Sequence, residues 1–84
     1  MEPIKTRLRQ LYVETLRLPI APDDLGESNL VADWGIDSIV VMELLTRVEN
    51  RFQILIDDAD VSPSLVDSLD ALSDYIARKQ AERM

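Results

Sequence analysis

The sequence has no cysteine and no histidine, and each absence excludes a class of chemistry. Without cysteine, neither a disulfide framework nor a thiolate metal site can form. Without histidine, the commonest general base and the commonest metal ligand are missing, and lysine occurs only at Lys5 and Lys79. An active site would have to consist of carboxylates, hydroxyls and arginines. We therefore expect a protein that is not an enzyme, with no catalytic residue and no metal site.

Long apolar runs are also absent. No run approaches the ~20 residues that a membrane-spanning helix needs, and the first residues do not follow the pattern of a signal peptide. A chain of 84 residues that is 46% hydrophobic has the size and composition of one small globular domain, which we place at residues 1–84. We expect a soluble, cytoplasmic monomer without a membrane partner. Met1 and the mixed-charge tail at residues 80–84 favour a free-standing protein.

The acidic residues are concentrated in the middle of the chain. The net charge is −7, and the stretches 18–35 and 53–76 contain four and six acidic residues with no basic one. A phosphate backbone would be repelled by this charge, so we expect no nucleic-acid partner. Basic protein surfaces are suitable partners, because complementary charge accelerates association. An acidic surface that only keeps the protein in solution would explain the same charge.

Apolar side chains recur at helical spacing in three stretches, which predict three main helices. They cover about residues 3–17, about residues 38–52 and the region from a cap at Asp67 or Ser68 through Ile76. The apolar stripes of the second and third stretches predict core residues. These are Val41, Leu44, Leu45, Val48 and Phe52 in the second stretch, and Leu69, Leu72, Tyr75 and Ile76 in the third.

The remaining connections have weaker patterns. Residues 19–36 show no periodicity, and we expect them to form a long first loop. One short helix is expected around Val61 to Val66, interrupted by Ser62 and Pro63. No stretch has the alternation of a strand. The sequence thus predicts an all-α fold, a small four-helix bundle with three main helices and one short helix.

Residues 34–39, with the sequence WGIDSI, bring an Asp-Ser pair to the start of the second main helix. The amino end of a helix exposes unpaired N–H groups and the positive end of the helix dipole, which favour a nearby anion. Gly35 leaves space beside the hydroxyl of Ser38 for a modifying enzyme. The arrangement suits a serine that bears a phosphodiester. Asp37 or Ser38 can also cap the helix, and capping alone would explain a serine at this position.

This stretch resembles the phosphopantetheine attachment motif of acyl carrier proteins, a Gly-x-Asp-Ser-Leu-type sequence that opens the second helix of a four-helix bundle. Ser38 matches the attachment serine, Asp37 and Gly35 match the residues before it, and Ile39 stands in place of the usual leucine. Similarity extends over nearly the whole chain. Further matching positions are residues 30–33, Glu43, Leu44, Val48, Glu49, Phe52, Ile56, Ser68, Leu69 and residues 74–76.

The resemblance implies a carrier that supplies an attachment oxygen and a docking surface. A phosphopantetheinyl transferase, with coenzyme A and magnesium, would attach 4'-phosphopantetheine to Ser38. The thiol of this arm would carry an acyl, aryl or aminoacyl group as a thioester between partner enzymes with basic docking surfaces. Ile39 and Met42 are the expected apolar docking contacts, and Asp37 and Glu43 are the expected acidic ones.

Several residues differ from the family pattern and indicate a pathway-specific carrier. Trp34 replaces a usual leucine, Val40 replaces a common acid, and Asp57 replaces a common proline, while Arg47 and Arg51 make the second helix less acidic than in carriers of fatty-acid synthesis. We therefore expect a role in polyketide or related natural-product biosynthesis. A peptidyl or D-alanyl carrier and an unmodified acidic helical interaction module are the alternatives. The acidic run at residues 57–60 lacks the glycine and glutamate of an EF-hand loop.

Overall fold

The computed structural model describes residues 3–82, and its regular structure is entirely helical within that range. Its elements are α1 (Ile4–Leu16), a 3₁₀ turn (Pro22–Asp24), α2 (Leu30–Trp34), α3 (Ser38–Phe52), a second 3₁₀ turn (Asp58–Asp60), α4 (Pro63–Asp67) and α5 (Leu69–Glu82). The all-α class and the three main helices, α1, α3 and α5, are confirmed. The ends of the predicted domain, residues 1 and 84, lie outside the described residues. None of the helices within residues 3–82 has the length and apolar character needed to cross a bilayer.

The long first loop contains an additional helix, so the prediction of a loop over residues 19–36 was wrong for α2. Five residues are too few to show a helical period in the sequence. In addition, the first amides of any helix need acceptors from outside it. In α2 that acceptor is distant, because the Val31 N–H donates to Oδ1 of Asp67 at 2.9 Å across a separation of 36 residues.

The start of α4 corrects the sequence-based expectation, and the start of α5 decides between the two caps that the sequence allowed. Pro63 is the first residue of α4, and Oγ of Ser62 accepts the Leu65 N–H at 3.3 Å. Proline is favoured at the first position of a helix because its missing N–H is not needed there, so these two residues begin the short helix and do not interrupt it. At α5, Ser68 is the residue whose side chain caps, with Oγ accepting the Ala71 N–H at 3.2 Å. The side chain of Asp67 bonds to α2 instead.

The core lies between the three main helices and α4. Both predicted stripes, on α3 and α5, are buried as expected, and α1 contributes Leu8, Leu11 and Tyr12. No charged or polar side chain is buried among the described residues apart from the hydroxyl-bearing Tyr12 and Tyr75. The hydroxyl of Tyr12 donates to the Val66 carbonyl at 2.6 Å, which joins α1 to α4 inside the core. Burying a hydroxyl requires such a partner.

Candidate functional site

The start of α3 places a serine hydroxyl on the protein surface. Asp37 precedes the helix with an extended backbone, and its Oδ1 accepts the Val40 N–H at 2.9 Å. Asp37 is therefore the N-cap, one of the two caps that the sequence allowed. Ser38 is the first helical residue and is exposed, and its hydroxyl has no hydrogen-bond partner within residues 3–82. Because Asp37 caps the helix, the Ser38 hydroxyl remains available for chemistry.

The α2–α3 connection, residues 35–37, is held by one carbonyl of α2. Gly35 ends α2 in the left-handed region with φ 61°, and its N–H donates to the Val31 carbonyl. The Ile36 N–H donates to the same carbonyl at 3.1 Å, and the Ile36 side chain is buried. A left-handed residue after a helix favours glycine. A Cβ added to Gly35 would meet no atom within 4 Å. Within the fold, glycine is therefore favoured here by the backbone angle and not by a lack of space.

The first turn of α3 suits a phosphodiester on Ser38. The helix is 15 residues long, and the positive end of its dipole, with the N–H groups of its first turn, favours an anion at this position. The carboxylate of Asp37 is exposed, so water screens its repulsion of a neighbouring phosphate. The geometry can present an uncommitted hydroxyl to an incoming enzyme and can then stabilise the charged product.

The outer face of α3 next to Ser38 is partly apolar. Ile39 is 78% exposed and Met42 is 52% exposed, and Glu43 on the same face is also exposed. Val40 is half-buried and packs against the core, so it does not belong to this face. Exposed large apolar side chains next to each other are characteristic of interaction surfaces. The structure therefore brings Ile39, Met42 and Glu43 together within about the first turn and a half of α3 after Ser38.

Comparison with known proteins identifies the family. A family model described as "Phosphopantetheine attachment site" matches residues 6–76. The sequence is also 32% identical over 76 residues to a protein named acyl carrier protein from Desulforapulum autotrophicum, and the alignment covers 90% of this chain and 96% of that protein. The chain belongs to the acyl carrier protein family. The expected cofactor, covalent 4'-phosphopantetheine, is confirmed with the family.

Membership in the acyl carrier protein family establishes the general function of the chain. Its members are carriers that serve phosphopantetheinyl transferases and other enzymes, and they are generally not catalysts themselves. The described residues fit the cofactor, since an exposed hydroxyl without a partner lies at the amino end of a long helix. When bound, the cofactor supplies a thiol on a flexible arm.

Trp34 lies at the end of α2, directly before the α2–α3 connection. Its half-buried side chain packs against the core. Trp34 therefore helps to fix α2 onto the bundle.

The acidic run at residues 57–60 is engaged with α5 at the other end of α3. Lys79 pairs with Asp57 at 3.0 Å, and the Tyr75 hydroxyl donates to Asp60 at 2.8 Å. The hydrogen bond that Lys79 donates to Asp57 raises the pKa of Lys79. Burial, followed by the bond to Asp60, raises the pKa of Tyr75. Two clefts of about 410 and 620 Å³ share Lys79 in their walls, and no residue of the α2–α3 connection lines either. This region is structurally separate from Ser38.

Two features of the structure were not found from the sequence. Leu55 is 80% exposed between the buried Ile54 and Ile56. The sequence contains no signal for this exposure, because residues 54–56 are all apolar and only their burial alternates. The second feature is the bond between Asp67 and α2, for which no local pattern exists, because the two partners are far apart in the sequence.

Proposed function

We propose that the 4'-phosphopantetheine of this acyl carrier protein is attached to Ser38, and that the arm carries an acyl intermediate in polyketide or related natural-product biosynthesis. The observation that carries the proposal is the exposure of the Ser38 hydroxyl and its lack of a hydrogen-bond partner within the described residues. It is exposed, it opens α3, and it has no partner among residues 3–82, because Asp37 supplies the cap. This serine also lies within the region that the attachment-site family model matches.

The attachment reaction needs only an accessible oxygen from this chain. The Ser38 hydroxyl oxygen attacks the coenzyme A phosphorus that bears pantetheine. A new P–O bond forms, the bond from that phosphorus to 3',5'-adenosine diphosphate breaks, and the hydroxyl proton passes to a base of the transferase. The chain then holds a phosphodiester at the amino end of α3, where the helix dipole stabilises its charge.

The surface next to Ser38 supports docking of partner enzymes at this position. Ile39 and Met42 offer exposed apolar contacts, and Asp37 and Glu43 offer negative charge to basic residues of a partner. Apolar side chains at the centre of an interface contribute most of its affinity, while surrounding charges steer the encounter. A partner that binds here would hold the Ser38 hydroxyl close to its own active site.

The charges of α3 support a pathway-specific carrier. Arg51 pairs with Glu14 of α1 at 3.4 Å, so it is committed within the fold. Arg47 is exposed and has no ion pair within residues 3–82. The face that partners meet therefore carries a cation one turn after Glu43. This mixed charge distinguishes the docking face from a uniformly acidic one and favours a dedicated set of partners.

Loading in vitro tests the attachment residue. The protein would be incubated with coenzyme A, magnesium and a broad-specificity phosphopantetheinyl transferase, and intact masses measured for the wild type, Ser38→Ala and Ser64→Ala. Ser64 is the matched control, because it is an exposed serine in the first turn of α4. We expect one phosphopantetheine on the wild type and on the control, and none on Ser38→Ala. Modification of Ser38→Ala, or of no variant with several diverse transferases, would refute the assignment, and the second result would favour an unmodified interaction module.

The cargo requires the protein from its native cells. Mass spectrometry of the peptide that contains Ser38, prepared under mildly acidic conditions that preserve thioesters, would give the mass of the attached group. An acyl mass would support the proposal. An aminoacyl mass would contradict it and would favour a peptidyl or D-alanyl carrier.

A further inference from the structure

Asp67 makes a contact that reaches from α4 to the helix before Ser38. Its Oδ1 accepts the Val31 N–H at 2.9 Å, and Val31 is the second residue of α2. The residue that precedes α2, Asn29, has a left-handed backbone, and its side chain does not cap the helix. Asp67 therefore does for α2 what an N-cap side chain does for an ordinary helix, although it comes from a different element.

Hydrogen bonds connect this contact with the α2–α3 connection. The N–H of Val31 is held by Asp67, and the carbonyl of the same residue accepts the N–H groups of both Gly35 and Ile36. Asp37 and Ser38 follow directly in the sequence. The position of the connection is thus set by α2, and the position of α2 is set at its first turn by Asp67. A five-residue helix depends on such contacts, because short helices are unstable by themselves.

Asp67 itself is held on both sides. The carbonyl of the preceding Val66 accepts the hydroxyl of the fully buried Tyr12 at 2.6 Å. Two residues after Asp67, the Leu69 N–H donates to the Glu27 carbonyl at 2.9 Å. The carboxylate therefore extends from backbone that is tied to α1 and to the loop before α2. Because its own backbone is fixed, the side chain can hold α2 in one place.

We propose that Asp67 is a positioning residue for the attachment of phosphopantetheine: its carboxylate holds α2, and through Val31 it holds the α2–α3 connection in the conformation that presents Ser38. The loading part of this inference rests on the proposed attachment at Ser38. The structural part, control of the connection by Asp67, is independent of that assignment.

Amide hydrogen exchange on the unmodified full-length protein tests the structural part. In Asp67→Ala we expect the amides of Gly35 and Ile36 to exchange about tenfold faster, because a bond to a charged acceptor is lost at the first turn of α2. Ser68→Ala is the matched control, since it removes a cap from α5 at the neighbouring position. It should accelerate exchange at Ala71 and leave Gly35 and Ile36 unchanged. Equal effects of both variants on the connection, or no effect of Asp67→Ala, would overturn the inference.

Loading kinetics test the functional part. With the transferase and coenzyme A, Asp67→Ala should raise the KM for the carrier about fivefold to tenfold at nearly constant kcat, because only the fraction with an ordered connection binds productively. Asp67→Asn keeps a side-chain oxygen that can accept the Val31 N–H, so it should recover most of the loss. Ser68→Ala should stay within about twofold of the wild type. A lower kcat with unchanged KM, or no recovery in Asp67→Asn, would contradict positioning.

The two measurements separate the inference from the proposed function. If the wild type is not loaded at all, attachment at Ser38 fails, while exchange at Gly35 and Ile36 still decides whether Asp67 holds the connection. If the wild type is loaded on Ser38 and Asp67→Ala is loaded with the same KM, the attachment stands and the positioning role of Asp67 is refuted.

Discussion

Two substitutions of Asp37 separate the cap on α3 from the negative charge beside Ser38. Alanine removes both, whereas asparagine keeps an oxygen that can accept the Val40 N–H and removes only the charge. Replacing an N-cap aspartate by alanine typically costs about 1 kcal/mol, and asparagine is about as good a cap as aspartate. In a domain of this size, about 1 kcal/mol corresponds to a fall of roughly 4–8 °C in Tm. We expect this fall in Asp37→Ala, and less than about half of it in Asp37→Asn.

Thermal unfolding and transferase kinetics on the same samples give the decisive comparison. The two variants should differ in Tm but share a raised KM for loading, because both lack the charge that faces a basic partner. Added salt should raise the KM of the wild type more than that of either variant, since salt screens only a charge that is present. An unchanged Tm in Asp37→Ala would show that the 2.9 Å bond to Val40 contributes nothing measurable. A wild-type KM in Asp37→Asn would refute the role of the charge.

Two further changes test the core and the docking face. Tyr12→Phe removes the hydroxyl that bonds to Val66 and should lower the free energy of unfolding by about 1 kcal/mol at neutral pH. Burial, and then the charge of Asp67, raises the pKa of Tyr12. The hydroxyl's contribution is therefore fully present below about pH 10 and falls progressively as the pH rises above it, because the unfolded chain ionises while the buried hydroxyl stays neutral. Urea denaturation about one pH unit above the ordinary tyrosine pKa should show a smaller alkaline loss in Tyr12→Phe than in the wild type, and equal losses would contradict this reasoning. Ile39→Ser should leave Tm within about 3 °C, because the side chain is mostly exposed, but should raise the loading KM severalfold; an unchanged KM would remove Ile39 from the docking face.

The sequence predicted the long helices well because each contains its own evidence. On α3, the core positions recur at helical spacing from Val41 to Phe52, and the structure buries all five of them. The end of α1 was placed to within a residue, since Pro19 and Pro22 prevent a longer helix. The short helices were harder to predict from the sequence. The five-residue α4 begins at Pro63, a position where proline is favoured, so the predicted interruption of the helix at this residue is wrong.

At the candidate site, the sequence could supply the chemistry but not the geometry. Asp37 and Ser38 are both good caps, so residue types alone could not decide which side chain caps α3 and which one makes no hydrogen bond. The choice depends on one residue of register at the start of α3, which the structure fixes with Asp37 outside the helix and Ser38 inside it. The exposure of Ile39 and Met42 was predictable because both lie off the core stripe of the same helix.

The sequence could not show the contact that fixes the position of the candidate site. The motif at residues 34–39 is local, and the proposed attachment residue Ser38 lies within it. The conformation of that motif is not local, because the helix before it is held by Asp67, 36 residues after Val31. A local contact could be read from spacing, but a contact across this separation exists only once α1, α4 and α5 have packed and fixed the backbone on both sides of Asp67. The proposed positioning role of Asp67 would therefore couple folding of the domain to presentation of the Ser38 hydroxyl.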